Sequence, residues 1–188
     1  MKFYESISLG ILAGGRGSRL NGADKAFVRH EDKFLCERIL DKLQMRFAGK
    51  YISARKPDER YAAMNINPVF DKRTAFSGPL AGIEALLDAC ESEYLLTIPV
   101  DIKNIPVRLI EQWLDYPEAP GTQLRDSDGM QPLFALWHVN SCLSTVRQAL
   151  DGQEKAVHSV LAKLNFKIID RTDIQIGNLN TPEDFNTL

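Results

Sequence analysis

Apolar positions along the chain fall into two alternating patterns: short continuous runs, and stripes at helical spacing. Ser6-Ile7-Ser8-Leu9-Gly10-Ile11-Leu12 predicts a first strand that ends abruptly in Ala13-Gly14-Gly15. From about residue 33, Leu35, Ile39, Leu40, Leu43 and Phe47 form one stripe and predict a helix. Tyr51-Ile52-Ser53-Ala54 and Pro68-Val69-Phe70 predict the next two strands, the second running into Asp71. Ile83, Leu86, Leu87 and Cys90 recur at i, i+3, i+4 and i+7, predicting a helix over 80–91. Tyr94 to Val100 is a buried strand that leads into Asp101. Such alternation of strands and helices builds a mostly parallel sheet with helices on both faces.

Beyond Asp101 the rhythm loosens. Pro106 opens a helix that must end before Pro117, because proline suits a first helical turn and breaks an interior. Gln131 to Val139 is strand-like, and Ser141 is placed to cap a helix through Leu150. A helix over Val157–Leu164, a strand over Phe166–Asp170 and a short helix capped at Thr181-Pro182-Glu183 complete the expectation. No repeat or polar linker divides the 188 residues, a length suited to one domain spanning 1–188.

Composition narrows the class. Basic residues number 23 against 25 acidic, for a net charge of -2 and a pI near 5.9, which argues against a nucleic-acid binder built on a general basic surface. No apolar run approaches the roughly 18–20 residues a membrane span needs, and the N-terminal stretch makes a poor signal peptide. Cys36, Cys90 and Cys142 lie far apart without a C-x-x-C, as expected of buried or half-buried thiols in a cytoplasmic protein. The histidines His30, His138 and His158 have no metal-binding spacing.

Candidate chemistry concentrates where the first strand ends. In open α/β sheets ligands bind at the carboxyl ends of strands, and Leu12 to Leu20 lies at such an end with three glycines, which permit close backbone approach to an anion. Arg16, Arg19 and Lys25 add cations to the same stretch, as phosphate recognition requires. The loop is not a G-x-x-x-x-G-K-[ST] motif, and Leu20 stands where a dinucleotide-binding G-x-G-x-x-G would need its third glycine. Asp101, just past a buried strand, is placed to act as a metal ligand or, alternatively, as a turn or capping residue. Asp71 ends another strand and is a second candidate. Asn178 and Asn180 offer neutral hydrogen-bonding groups, with helix capping as the other reading of Asn180.

These segments resemble a known family. Leu12-Ala13-Gly14-Gly15, Ser18-Arg19-Leu20 and Gly22-Ala23-Asp24-Lys25 are similar to the LAGG-x-S-x-R-M-G-x-D-K signature of the MobA-like nucleotidyltransferases. Asp71 with Gly78-Pro79-Leu80-Ala81-Gly82, then Pro99-Val100-Asp101, then Asn178-Leu179-Asn180-Thr181-Pro182-Glu183-Asp184 match in order. Gln131-Pro132-Leu133 resembles the family's acceptor-side strand. Leu20 replaces the usual methionine, the loop carries one residue more than the commonest spacing, and Val100 stands where guanylyltransferases often have cysteine.

The resemblance implies a three-layer α/β/α Rossmann-like nucleotidyltransferase fold, with an NTP-binding half over about 1–101 and an acceptor-binding half over about 102–188. It implies transfer of GMP from GTP to the terminal phosphate of molybdopterin, forming molybdopterin guanine dinucleotide and pyrophosphate. Lys25, Arg19 and Asp101 would be catalytic, with Asp101 holding Mg²⁺. Leu12, Ala13, Gly14, Gly15, Lys25, Asp71, Pro79, Leu80, Asp101, Asn178 and Asn180 would bind substrates, and Gln131 would also meet the acceptor. Asp24 is a candidate to orient Lys25. The implied partners are GTP and molybdopterin, with transient contact to molybdoenzyme maturation proteins, no nucleic acid or membrane, and a monomer or weak oligomer. Alternatives are a molybdopterin cytidylyltransferase, a relative using another phosphorylated acceptor, and a non-catalytic nucleotide-binding module. Choice between GTP and CTP is not set by any of these residues.

Overall fold

The computed structural model describes residues 2–14, 24–73 and 78–179. Its strands in chain order are β1 (Phe3–Tyr4), β2 (Ile7–Leu12), β3 (Arg29–His30), β4 (Lys33–Phe34), β5 (Arg46–Phe47), β6 (Lys50–Ala54), β7 (Asn67–Phe70), β8 (Tyr94–Pro99), β9 (Gly121–Asp126), β10 (Gly129–His138) and β11 (Lys167–Asp170). Its helices are α1 (Leu35–Lys42), α2 (Glu59–Ala63), α3 (Pro79–Ala89), α4 (Val107–Leu114), α5 (Val139–Asp151) and α6 (Val157–Lys163).

Seven strands form the main sheet in the order β11-β9-β10-β8-β2-β6-β7. Pairings β7–β6, β6–β2, β2–β8 and β9–β11 are parallel, whereas β10 runs antiparallel to both β8 and β9. Successive side chains of a strand face opposite ways, so the core divides in two. Ile7, Leu9, Ile11, Leu96 and Ile98 pack with α1 and α4 on one face. Leu95, Ala135 and Trp137 pack with α3, α5 and α6 on the other. The result is the expected three-layer α/β/α arrangement, and every residue of β2 is buried because helices cover it on both sides.

Several boundaries differ from the sequence expectation. The predicted helix from residue 33 to Phe47 stops at Lys42, and Phe47 belongs instead to β5, paired with β1. Leu43 and Phe47 continue the apolar stripe because both are buried in the same cluster, not because the helix continues. Ser141 does not cap α5: His138 does, its ring Nδ1 accepting from the Ser141 amide at 3.3 Å. Strand β9 is not predicted by the pattern of apolar positions. Its polar residues are buried through partners distant in sequence, Thr122 accepting from the Trp113 indole and Asp126 from three donors. The helix predicted at Thr181 lies outside the described residues.

Candidate active site

The order of the parallel strands decides where a ligand can lie. The chain moves from β2 outward to β6 and β7, then returns to β8 on the opposite side of β2. Helices and loops leaving neighbouring strands at such a switch point diverge, which opens a crevice at the carboxyl ends. Cross-strand pairing aligns Ser53, Leu12 and Pro99 as one row at that edge. All three line a pocket of about 170 Å³ together with Gly14, Lys25, Asp71, Gly78, Pro79, Gly82, Asp101 and Leu133.

Each wall has a local cause. Gly78 precedes α3 with φ of 67°, a conformation that costs glycine little, and Pro79 opens the helix, so the α3 N-terminus faces the pocket. Gly82, one turn on, lets the helix close against the strand ends: a Cβ there would stand 3.0 Å from Ser53 Oγ and 3.4 Å from Leu12 Cδ2. Ser53, 2% exposed, accepts from the Gly14 amide at 3.3 Å and so ties the loop leaving β2 to the end of β6. Across the pocket, the β9–β10 pairing is interrupted between Gln131 and Ala135, where Pro132 has no amide hydrogen to donate. Leu133 lies in this irregular stretch and reaches the pocket.

Asp101 is held from three sides. The Val100 amide continues the sheet by donating to Leu12 O at 3.0 Å, and the Ile102 amide donates to Pro99 O at 3.2 Å. Residues 176–179 run alongside: the Leu179 amide donates to Asp101 O at 2.7 Å, and Asn178 bridges Ile102 in antiparallel fashion. Arg38 from α1 donates to the carbonyls of Ile102 and Lys103. Asp101 does not cap α4, which begins after Pro106. Its carboxylate instead meets Lys25, with Nζ 2.5 Å from Oδ2 and side-chain exposures of 31% for the lysine and 15% for the aspartate.

Asp71 follows the last residue of β7. Solvent reaches it, yet the surrounding protein partly desolvates the carboxyl, and that effect, with Glu84's charge as a second cause, raises its pKa above the ordinary value. Two residues on, Arg73 donates through Nε and Nη2 to both oxygens of the buried Glu84 at 2.8 and 2.7 Å, and through Nη1 to Asp151 at 2.7 Å. This fork fastens the segment carrying Asp71 to α3 and α5.

The structure therefore brings Leu12, Gly14, Lys25, Asp71, Pro79 and Asp101 to one pocket. Ala13 and Leu80 stand beside it with their side chains in the core, Leu80 at 0% exposure, so only their backbones could meet a ligand. Asn178 is exposed next to the Asp101 turn. Gln131 lies on β10, but its amide donates to Asp126 at 2.9 Å, a structural bond. The Asp24 carboxylate makes no hydrogen bond to the Lys25 side chain; it caps the 3-10 turn Lys25–Phe27. Gly15, Arg19 and Asn180 lie outside the described residues. Ser53 was missed by motif, although the strand-end rule that found Leu12 and Asp101 applies equally to β6.

A cation paired with a carboxylate at the switch point, under a glycine-lined helix N-terminus, suits phosphate chemistry and places the protein among nucleotide-handling α/β enzymes. Residues 9–168 match the model of the MobA-like NTP transferase domain. A molybdenum cofactor guanylyltransferase of Yersinia pestis is 30% identical over 178 residues, covering 93% of this chain and 90% of that protein. The relative from Yersinia pseudotuberculosis matches to the same extent. Among solved structures, molybdopterin-guanine dinucleotide biosynthesis protein A of Archaeoglobus fulgidus superposes with a TM-score of 0.69 at 22% identity, covering 95% and 94% of the two chains. A 2-C-methyl-D-erythritol 4-phosphate cytidylyltransferase of Thermus thermophilus gives 0.65 at 11% identity, covering 94% of each chain, and shares the fold. The chain belongs to the MobA-like NTP transferase family and is a nucleotidyltransferase.

Proposed function

We propose that the protein is a molybdenum cofactor guanylyltransferase, transferring GMP from GTP to the terminal phosphate of molybdopterin with release of pyrophosphate. The observation that carries this reading is the Lys25–Asp101 pair, 2.5 Å apart in the pocket at the β2/β8 switch point. The names of relatives 30% identical over most of the chain supply the substrates.

The reaction needs no protein nucleophile, because the acceptor phosphate is already an anion. Its oxygen bonds to the α-phosphorus of GTP, the bond from that phosphorus to the α–β bridging oxygen breaks, and pyrophosphate carries away the electron pair. Catalysis then rests on alignment and charge neutralisation. Lys25, with Arg19, binds triphosphate oxygens and stabilises the departing pyrophosphate. The backbones of Leu12, Ala13, Gly14 and Gly15 cradle phosphate and sugar, while Leu12 and the Gly78-Pro79-Leu80 turn lie against the base. Asp71 contacts the nucleotide, and Asn178 and Asn180 belong to the acceptor side, whereas the Gln131 amide is taken up by Asp126. In this reading residues from about 1 to 101 serve the nucleotide and those from about 102 to 188 the acceptor.

The donor set fits magnesium. No cluster of three or more His, Cys, Asp or Glu side chains is placed to cage a metal among the described residues. Mg²⁺ is commonly held by one or two carboxylates together with substrate phosphates and water. Asp101 would hold it, since its carboxylate already faces a cation in the pocket. When bound, the ion would neutralise triphosphate charge.

Calorimetric titration with GTP, CTP and ATP in Mg²⁺ tests the reading. GTP is expected to bind tightest. A preference for CTP would make the protein a cytidylyltransferase with the same Lys25 and Asp101 roles, and binding of none would remove the phosphate-site argument.

A further inference from the structure

Tyr61 is a buried ionisable residue with no part in the phosphate chemistry above. It sits on α2 at 0% exposure, and its hydroxyl donates to Asp24 Oδ2 at 2.8 Å. The other Asp24 oxygen accepts from the Ala26 amide at 3.0 Å, capping the 3-10 turn Lys25–Phe27. At the far end of that turn the Phe27 ring packs on Tyr61, centroids 4.8 Å apart, and the Arg60 guanidinium lies 3.6 Å from the Phe27 centroid.

A three-residue 3-10 turn has little stability of its own, since few hydrogen bonds repay the ordering of its backbone. Its position must come from outside, and here both ends are fastened to α2. Lys25 projects from between the two anchors to Asp101. The hydroxyl of Tyr61 is suited to the task. Burial, reinforced by the hydrogen bond to Asp24 and its negative charge, raises its pKa, so it remains a proton donor throughout the neutral range.

We infer that Tyr61 is a positioning residue for nucleotide binding, acting through Asp24 to hold Lys25 where the triphosphate lies. This rests on the proposal that Lys25 binds the triphosphate. The coupling is the distinctive consequence: a residue that acts only through Lys25 loses its effect once Lys25 is gone.

The test is a double-mutant cycle read by calorimetric titration of the full chain with GTP in Mg²⁺. Tyr61→Phe keeps the ring against Phe27 and deletes the hydroxyl, and should weaken binding by roughly threefold to tenfold. The same change in a Lys25→Ala background should weaken it no further. Equal weakening in both backgrounds would mean general loosening and overturn the inference, as would unchanged binding in Tyr61→Phe. Asp24→Asn supplies a second arm, because its oxygen can still cap Ala26 and its amide can donate to the Tyr61 oxygen. It should bind near the wild-type level, whereas Asp24→Ala should bind at least as weakly as Tyr61→Phe. Equal losses in the two Asp24 variants would overturn the inference. If Lys25→Ala alone leaves GTP affinity unchanged, the functional reading falls and this inference with it. If Lys25→Ala weakens binding and Tyr61→Phe does not, only the inference falls.

Discussion

The parallel strands β2, β6, β7 and β8 and the flank β9, β10 and β11 share one sheet but are built on different principles. In the parallel half, strands such as β2 and β8 are continuous apolar runs covered on both faces, and the site lies where they end. The flank is held substantially by buried polar groups. Asp126, 1% exposed, accepts from the amides of Asp128 and Ile176 and from the Gln131 side chain. Through Ile176 this carboxylate fixes residues 176–179, which in turn support the turn of Asp101. The parallel half thus presents chemistry at an edge, while the flank uses polar side chains as internal scaffolding. The same residue type, aspartate, serves a pocket in one and a joint in the other.

The largest effect expected from breaking this contrast is on activity. Asp101→Ala should lower nucleotidyl transfer by about 100-fold or more. The pair it loses is partly exposed, so the melting temperature should move by no more than about 4 °C. An assay at limiting Mg²⁺ with a parallel melting curve checks both, and full activity would refute the metal-ligand role.

Asp126→Ala should show the opposite profile. It strands three donors, and leaving such groups unmatched in a buried site costs about 3 kcal/mol in total. For a protein of this size that lowers Tm by about 6–12 °C. GTP binding below the transition should persist if, as proposed, the nucleotide contacts belong to the parallel half. A loss of binding as complete as that of Asp101→Ala would show that the two regions do not separate in function.

The smallest effect concerns thiol reactivity. Burial pushes Cys36 on α1 up to about 12, and Cys142 on α5 likewise to about 12. At neutral pH both stay protonated, and thiolate is the reactive form. Half-buried Cys90 should therefore react first with a thiol reagent. Cys36 and Cys142, on opposite faces of the sheet, should follow together at the rate of global unfolding. Separate rates would reveal independent opening of the two layers.

Legibility followed the same division. Leu12, Asp71 and Asp101 could be found because each ends an apolar run, and parallel strands bring such ends to one edge. Ser53 stands near the end of a predicted strand, as Leu12 does, but only the pairing of β6 with β2 sets the two side by side and brings the serine hydroxyl to the Gly14 amide. Leu80 and Ala13 fall in the right motifs, yet only packing decides that their side chains enter the core. Strand β9 was invisible because Thr122, Gln123 and Asp126 look like loop residues until their buried surroundings are known. Tyr61 belongs to no motif, and nothing local connects it with Asp24, 37 residues earlier.

Alone, the order of apolar runs and helical stripes determined the α/β class, and the glycine-rich motif with its following lysine determined the family. Both are local properties, written in periodicity and in residue types a few positions apart. Tertiary structure decided which carboxylates line the pocket and which lock the scaffold. It also decided that Lys25 meets Asp101 across 76 residues and that the hydroxyl of Tyr61 on α2 donates to Asp24, which caps the turn carrying Lys25. The reason is that a buried polar group takes its role from its partners, and in this fold those partners come from other strands and helices.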